Sequence, residues 1–350
     1  TAAARDGWRV EAGRGGSRRR VPAATGGAMR FIVYGAGAIG GVIGGRLFQA
    51  GHDVTLIARG AHRTAIRDRG LLVESPDDSA RLRIPVVGHP SELGYEPGDV
   101  VLLGMKTQDT AEAVRALAAS APPDIVVACA QNGVENERLA LRSFARVYGV
   151  CVVLPAAHLR PGVVQVYSAP VGGVLDVGRY PGGTDDVAPA IAGAFRDAGF
   201  GSAHRPDVMQ YKYGKLLTNL GNAAEVVCGP GEGARDIAAL ARAEGLACFH
   251  AAGVDFAEAD MTVYADVLNV RPVGGRRRFG GSSVQSLQRA TGSVETDYLN
   301  GEIVLLGRTY GVPTPVNELL GHMANEMARD RRPPGLVAPE EFLAAVAARS

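Results

Sequence analysis

The chain has 350 residues, of which 46% are hydrophobic, and its 37 basic side chains nearly balance its 36 acidic ones. This length is enough for two domains with real cores. The balanced charge does not favour nucleic acid or an anionic membrane as a partner, so any attraction for anions must be local. No apolar run reaches the roughly 18 residues that a membrane span needs, and we expect a soluble globular protein.

The four cysteines are widely spaced along the chain. They show neither a CxxC pair nor a Cys/His ligand spacing, so the sequence predicts no metal site. We expect them to be reduced core thiols in a cytoplasmic protein. They are Cys129, Cys151, Cys228 and Cys248.

The first 28 residues differ in composition from the rest of the chain. They contain six arginines, many Gly and Ala residues and no apolar segment, which argues against a secretory signal. Met29 then stands directly before a predicted strand. We expect residues 1–28 to be an extraneous extension or a disordered tail; an organelle-targeting segment is the alternative.

A strand, a glycine turn and a helix follow one another at the start of the first half. RFIVY at 30–34 is a short β-branched and aromatic run, and GAGAIG at 35–40 comes directly after it. Gly35 permits the tight turn, Gly37 lets the backbone approach a pyrophosphate, and Gly40 allows close packing of helix on strand. In this context the motif predicts dinucleotide binding, with the phosphates on the helix N-terminus.

The second strand, at 53–59, ends in a cation. An NAD site usually has an acidic residue there for the ribose 2′-OH, whereas this chain has Arg59, with Arg63 nearby. A guanidinium suits a 2′-phosphate, so the sequence favours NADP(H). The alternative is that Arg59 is a solvated loop charge.

Near-continuous apolar runs then alternate with helix-like stretches, as expected for strands that are buried on both faces of a parallel sheet. Lys106 and Asn132 lie just beyond the carboxyl ends of two of these strands, where an open α/β sheet binds its ligand. Each alone could be a surface residue, but two at corresponding positions indicate ligand contact. The runs are 85–88, 99–107, 124–133 and 146–154, with helices predicted at 108–119 and around 134–145.

The second half changes character. After strand-like residues around 163–178 and a helix at 186–198, the chain from 205 onward has helical patterns. Those patterns are 205–228, 234–252, around 257–268, 282–290, 294–311 and a helix beginning at Thr314-Pro315.

KLLTNLGNAAE at 215–225 carries a lysine and two amides in an otherwise apolar helix. Successive helical residues are about 100° apart, so Lys215, Asn219 and Asn222 share one narrow stripe. For an isolated helix this stripe would be a solvated face. The other interpretation is a polar wall of a binding cleft.

Three other groups in the helical half admit two interpretations each. Glu295 is predicted in the first turn of its helix, where the helix dipole alone favours an acid. Ser282 or Ser283 could simply cap a helix. The triple Arg276–Arg278 is predicted to be a solvated loop, although a positive loop beside a cleft could attract a carboxylate.

Seven motifs, in this order, are similar to those of the ketopantoate reductase (2-dehydropantoate 2-reductase) family. The similarity runs from about Met29 to about Asn325. The motifs are GAGAIG, Arg59, Lys106, QNG at 131–133, KLLTN at 215–219, SSVQSLQ at 282–288 and VETDYLNGEI at 294–303.

The resemblance implies an α/β Rossmann-type dinucleotide-binding domain followed by an all-α C-terminal domain, with substrate in the cleft between them. We expect the NADP-binding domain at 29–204, the helical substrate domain at 205–335 and a C-terminal tail at 336–350. The implied partner is a small 2-oxo acid, and a homodimer is compatible with the sequence.

The resemblance also implies site residues. Lys215 would be the proton donor to the ketone oxygen, and Glu295 its partner near the nicotinamide ribose. Arg59 would take the 2′-phosphate. The cofactor-binding set is Gly35, Ala36, Gly37, Ala38, Ile39, Gly40, Arg59, Lys106, Asn132 and Glu295. The substrate-binding set is Asn132, Lys215, Asn219, Asn222 and Ser283.

The implied activity is NADPH-dependent reduction of 2-dehydropantoate to pantoate in pantothenate biosynthesis. Two departures concern the substrate: Ala223 and Gly233 stand where the family commonly has asparagines, and Asn222 could replace the first. The alternatives are therefore a paralogous NADPH-dependent reductase of another keto acid or an imine, or a non-catalytic NADP(H)-binding regulator.

Overall fold

The structure, a computed structural model, describes residues 29–257, 267–278, 280–289 and 292–349. Residues 1–28, expected to be an extension, lie outside this range, as does most of the helical pattern around 257–268. In the described part of the chain no helix is long and apolar enough to cross a membrane.

Eleven strands are described. Most are short and β-branched, as the apolar runs predict. They are β1 (Arg30–Tyr34), β2 (Asp53–Ile57), β3 (Leu71–Glu74), β4 (Ser79–Leu82), β5 (Val86–Val87), β6 (Val100–Leu103), β7 (Val126–Cys129), β8 (Arg146–Val153), β9 (Ala156–Arg160), β10 (Val163–Val166) and β11 (Val174–Arg179).

The helices of the first half alternate with these strands, whereas those of the second half follow one another. They are α1 (Ala38–Gln49), α2 (Gly60–Arg69), α3 (Thr107–Ala118), α4 (Asn136–Leu141), α5 (Val187–Asp197), α6 (Val208–Asn219), α7 (Gly221–Cys228), α8 (Glu232–Ala252), α9 (Ser282–Gln288), α10 (Asn300–Tyr310), α11 (Pro315–Arg329) and α12 (Pro339–Ala347).

The main sheet has seven strands in the order β11-β8-β7-β6-β1-β2-β5. Its pairs are parallel except that β11 runs antiparallel to β8. Alternate residues of β1 enter opposite cores: Phe31 and Val33 pack with α1 and α5, whereas Ile32 packs with α3 and α4. Helices therefore cover both faces, and the predicted α/β half followed by a helical half is confirmed.

A second sheet, β4-β3-β10-β9, was not predicted. It packs on α1, which lies between the two sheets. A Cβ at Gly45 would be 2.6 Å from Val73 of the second sheet, and one at Gly44 would be 2.9 Å from Leu56 of the main sheet. The small residues of α1 thus allow sheets to approach it from two sides.

Three predictions for the second half of the chain differ from the structure. Residues 294–311 are not one helix: a 3-10 turn covers Thr296–Tyr298, and α10 begins at Asn300. The stretch around KLLTN is two helices that meet at Leu220. The segment 336–350, expected to be a tail, contains α12, whose Phe342 is fully buried in the helical core.

The start of α11 is capped from another helix. Thr314 is its N-cap residue but makes no side-chain cap hydrogen bond. Instead the Glu244 carboxylate of α8 accepts hydrogen bonds from the backbone N–H groups of Val316 and Asn317, at 2.8 and 3.0 Å. A carboxylate here satisfies free N–H groups and complements the helix dipole.

Candidate active site

A cavity of about 610 Å³ opens at the carboxyl ends of the main-sheet strands. We call the side formed by the segments that follow β1, β2, β6 and β7 the sheet wall. The helical wall consists of cavity-facing residues of α6, α7 and the segment 268–295. The cavity lies beside β1, where the strand order changes direction: β2 pairs on one side of β1, and β6, which comes later in the chain, pairs on the other. This is the usual ligand site of such sheets.

The glycine turn lies at the floor of the sheet wall. Gly35 has φ +95°, and a Cβ there would be 2.6 Å from the Met105 backbone nitrogen. Gly37 is the N-cap of α1, has no side-chain cap, and would direct a Cβ into open space. The first turn of α1 has no acidic residue, so its free N–H groups and dipole are available to a pyrophosphate.

Five of the six glycine-turn residues line the cavity, and Gly40 does not. A Cβ at Gly40 would be 2.2 Å from the Gly35 carbonyl oxygen. Its contribution is therefore the close packing of α1 on β1 rather than contact with a ligand. Gly35, Ala36, Gly37, Ala38 and Ile39 line the cavity.

The two arginines near the end of β2 have different surroundings. Arg59 lines the cavity, its side chain is 69% exposed, and its guanidinium lies 3.6 Å from the Asp109 carboxylate. Arg63 instead pairs with Glu92 at 3.1 Å. Arg59 is thus the guanidinium available to a ligand phosphate at the rim of the sheet wall.

Lys106 follows β6 and is the N-cap residue of α3. Its ammonium donates a hydrogen bond to the Ser286 hydroxyl of α9, across the cavity. Burial lowers the pKa of Lys106, and the nearby Glu295 carboxylate opposes that shift. Lys106 therefore places a cation at the junction of the two walls.

Lys215 extends from α6 toward the sheet wall. Its ammonium donates to the Asn132 side-chain oxygen at 2.5 Å, which joins the two residues that sequence analysis had placed at a strand end and on a helix stripe. Burial lowers the pKa of Lys215 to about 8, while Cys151 and Glu295 act to raise it. An ammonium with such a pKa can give up a proton near neutral pH.

Glu295 is 5% exposed and stands before the 3-10 turn, not in the first turn of a helix as predicted. Its carboxylate accepts from the backbone N–H and the hydroxyl of Thr107, both at 3.0 Å. Because Thr107 begins α3, the carboxylate complements that helix N-terminus. It also lines the cavity.

The polar stripe faces the cavity, as the cleft interpretation requires. Asn219 and Asn222 both line it with Lys215. The two departures from the family pattern do not: Ala223 is 1% exposed in the helical core, and a Cβ at Gly233 would be 2.5 Å from Pro339. An asparagine at either position would therefore not point into this cavity without rearrangement.

Ser283 is not among the cavity-lining residues. It is 2% exposed, while the adjacent Ser282 and Gln285 line the cavity. Adjacent helical residues point about 100° apart, so only one of two neighbouring serines can face the cavity directly. The geometry supports Ser282, rather than the predicted Ser283, as the ligand-facing hydroxyl.

A buried ion pair behind the site was not predicted. The Lys212 ammonium, one helical turn before Lys215, lies 2.5 Å from the Glu137 carboxylate and donates to the Gln131 carbonyl at 3.0 Å. Both side chains are at most 2% exposed, and burial raises the pKa of Glu137. The sequence does show two lysines three residues apart, but no local feature indicates that one forms a buried ion pair and the other lines the cavity.

His62 supports the glycine turn. The Gly162 N–H donates to its Nδ1 at 2.8 Å, so Nε2 carries the proton and donates to the Ala36 carbonyl at 2.7 Å. Burial and the neighbouring His158 lower the pKa of His62 to about 4, so this imidazole is neutral near pH 7. Arg289 continues this group, donating to the His158 carbonyl at 3.2 Å.

Arg278 also reaches the cavity, although the sequence predicted a solvated loop there. Arg276 and Arg277 are exposed, as expected. The Arg278 Nε is buried without a hydrogen-bond partner, and so is the Nε2 of Gln285, which also lines the cavity. No local sequence feature distinguishes the arginine that faces inward from the other two.

Comparison with known proteins gives a consistent assignment. The family model for ketopantoate reductase PanE/ApbA matches residues 31–182, and that for its C-terminal part matches residues 207–328. The 2-dehydropantoate 2-reductase of Pyrococcus horikoshii is 29% identical over 300 residues, covering 83% of this chain and 95% of its own. That of Halobacterium salinarum is 29% identical over 316 residues, covering 86% and 100%.

Solved structures share the whole fold. A PanE/ApbA family ketopantoate reductase from Ralstonia eutropha has a TM-score of 0.73 at 27% identity, covering 87% of this chain and 99% of its own. A D-mandelate dehydrogenase complexed with NADH has a TM-score of 0.74 at 21% identity, with the same coverage. The chain belongs to the ketopantoate reductase family, and is a dinucleotide-dependent oxidoreductase that acts on a CH–OH/C=O group.

Proposed function

We propose that this protein reduces a 2-oxo acid to the 2-hydroxy acid with NADPH, and that 2-dehydropantoate, reduced to pantoate for pantothenate biosynthesis, is its substrate. The observation that carries the proposal is the Lys215–Asn132 hydrogen bond, which puts a partly buried ammonium in the cavity that the glycine turn also lines. The names of its relatives point to the same reaction. All four cysteines are free, which supports action in a reducing compartment such as the cytoplasm.

The sheet wall would hold the cofactor. The N-terminus of α1 offers backbone N–H groups to the pyrophosphate, and Gly37 leaves the space for its approach. Arg59 would bind the 2′-phosphate, and Lys106 would add a second positive charge along the cavity. When bound, the dinucleotide supplies the hydride.

The protein itself would supply the proton for the reaction. The Lys215 ammonium would donate a proton to the ketone oxygen as negative charge develops there, and would stabilise that charge beforehand. Asn132 orients the ammonium through its side-chain oxygen. Glu295 favours the charged form, because its carboxylate raises the pKa that burial lowers.

The helical wall would hold the substrate. Asn219 and Asn222 follow Lys215 on the same side of the α6–α7 segment and line the cavity. The Asn219 Nδ2 is buried without a partner, so it has a donor free for a substrate hydroxyl or carboxylate oxygen. Ser282 presents a hydroxyl to the same space.

The test is a panel of 2-oxo acids that includes 2-dehydropantoate, offered with NADPH or NADH. We expect loss of the nicotinamide absorbance with NADPH, fastest with 2-dehydropantoate. Faster turnover of another keto acid would reassign the substrate. NADPH binding without turnover of any carbonyl compound would favour the regulator instead.

A further inference from the structure

The helical wall presents several nitrogen donors that have no acceptor. Buried side-chain donors are almost always hydrogen-bonded, so each exception needs an explanation. Four such atoms belong to cavity-lining residues on this wall: Asn219 Nδ2, Gln285 Nε2, Arg278 Nε and Arg289 Nε. Guanidinium groups only donate, and the free atoms of both amides are donors, so the missing group is an acceptor.

Arg278 is held toward the cavity by its loop. Val273 is buried and pairs with Arg276 across a tight turn, so Arg276 and Arg277 project outward before Arg278 turns inward. Among the described residues no acid lies within ion-pair distance of Arg278. Burial lowers the pKa of Arg278, and the Glu225 carboxylate, which acts against that shift, already accepts from the Gly281 N–H at 2.9 Å.

This arginine lies at the catalytic end of the cavity. Its charge contributes to the lowered pKa of Lys215, so the two cations are near each other. The loop also touches the asparagine stripe, since a Cβ at Gly281 would be 2.8 Å from the Asn222 side-chain oxygen. Arg289 lies at the other end, near His158 and the glycine turn.

The charges indicate which ligand would satisfy Arg278. In the described lining, Lys215 has the Glu295 carboxylate to act on it, and Lys106 and Arg59 also have acids nearby. Arg278 and Arg289 both lack an ion-pair partner among the described residues, but the Arg289 guanidinium donates to the His158 carbonyl at 3.2 Å. A guanidinium whose Nε is free matches a carboxylate in two parallel hydrogen bonds.

We propose that Arg278, together with the Gln285 amide of the same cavity wall, binds the carboxylate of the 2-oxo acid. This assignment rests on the proposed function and deepens it. It gives the carboxylate a ligand other than the buried Ser283 of the implied substrate-binding set, and it makes the site selective for 2-oxo acids over neutral ketones. Asn219 and Asn222 are then left for the remaining oxygens of the substrate.

The experiment compares the affinities of two unreactive probes for the enzyme–NADPH complex by calorimetry. Oxamate carries the carboxylate of a 2-oxo acid, and oxamide replaces it with a neutral amide. We expect the wild type to bind oxamate more tightly. Arg278→Gln should weaken oxamate binding by about 10- to 100-fold, the usual range for a lost charge-assisted hydrogen bond, and leave oxamide unchanged.

Three further variants make the test specific. Arg277→Gln removes the same charge from the same loop at an exposed position and should bind oxamate like the wild type. Arg278→Lys keeps the charge but loses the planar fork, so its oxamate affinity should fall between those of wild type and Arg278→Gln. Gln285→Glu replaces a donor with a carboxylate of nearly the same shape and should weaken oxamate more than oxamide.

Two results would overturn the assignment. One is an equal loss for both probes in Arg278→Gln, and the other is a loss of NADPH affinity with oxamate affinity retained. The probes are not reduced, so their binding is read separately from turnover. If the wild type reduces no 2-oxo acid while Arg278 still selects oxamate, the proposed reaction fails and the carboxylate site stands.

Discussion

The two walls of the cavity are built on different principles. On the sheet wall the turn that faces the ligand is mostly backbone: Gly35 makes the turn after β1, and Gly37 leaves the N-terminus of α1 uncovered by a side chain. On the helical wall the ligand-facing groups are side chains such as Lys215 and Arg278. The sheet wall can therefore be common to many dinucleotide enzymes, whereas substrate choice depends on individual residues of the helical wall.

The largest effect should come from the helical wall. Lys215→Ala removes the proposed acid, and a positioned acid contributes about 100- to 10,000-fold to the rate. We expect kcat to fall by that factor while the dissociation constant of NADPH, measured by fluorescence titration, stays close to wild type. Thr218→Ala, an exposed change on the same helix, is the control and should keep kcat. A nearly normal kcat in Lys215→Ala would show that another group donates the proton.

Replacing the neighbouring Lys212 should lower the stability of the protein, whereas replacing Lys215 should lower kcat. Lys212→Met leaves the Glu137 carboxylate buried without a partner, which typically destabilises a protein by about 3–5 kcal/mol. The double change Lys212→Met/Glu137→Leu removes both charges and should recover most of that loss. Denaturant midpoints measure the effect. A double variant as unstable as Lys212→Met would mean that the packing of Lys212, not its charge, stabilises the junction of the walls.

A pH profile of the reaction tests whether burial lowers the pKa of the proposed acid, Lys215. The pKa of Lys215 is lowered to about 8, and reduction needs the charged form. The kcat/KM for the 2-oxo acid should therefore be level below about pH 8 and fall roughly tenfold per pH unit above it. Oxidation of the 2-hydroxy acid needs the neutral amine, so its rate should rise through the same range.

The Glu295→Gln variant sharpens that profile. In the wild type the Glu295 carboxylate acts to raise the pKa of Lys215. Its loss in the variant should therefore move the fall in kcat/KM to lower pH. Circular dichroism at each pH separates titration from unfolding. An unmoved limb in Glu295→Gln would assign the titration to a group that the Glu295 charge does not reach.

The walls also differ in how far the sequence alone predicts them. The strand Arg30–Tyr34, the glycine turn and the strand-end positions of Lys106 and Asn132 follow from local rules of period and turn chemistry. The second sheet was missed because its strands are short and pair across long distances, Leu72 with Val163 for example. Local periodicity carries no information about such pairing.

Cavity-facing residues of the helical wall were predicted only where polar residues recur along one face of a helix. Asn219 and Asn222 were found in this way, and Ser282 was missed by one position because adjacent serines give the same sequence signal. Arg278 was predicted to be solvated together with Arg276 and Arg277, and only those two are exposed. Whether a loop side chain turns inward depends on tertiary contacts such as the burial of Val273, which no local pattern records.

The smallest effect should come from the sheet wall, because Arg59 is largely exposed and water weakens its interactions. Arg59→Ala should narrow the preference for NADPH over NADH by about tenfold, the value of one solvent-exposed charge-assisted contact. Arg63→Ala is the matched control: it removes the same charge nearby, but Arg63 pairs with Glu92 and does not line the cavity.

A change at Asp109 should affect NADPH binding in the opposite sense to Arg59→Ala. Its carboxylate lies 3.6 Å from the Arg59 guanidinium, where it competes with a phosphate for the same cation. Asp109→Asn should therefore tighten NADPH binding slightly and leave NADH binding nearly unchanged. The ratio of kcat/KM for the two cofactors measures both variants. Suppose that Arg59→Ala and Arg63→Ala change that ratio equally. The 2′-phosphate would then interact with the combined positive charge at the rim of the cavity and not with Arg59 in particular. In that case no single side chain of the sheet wall would determine the preference for NADPH.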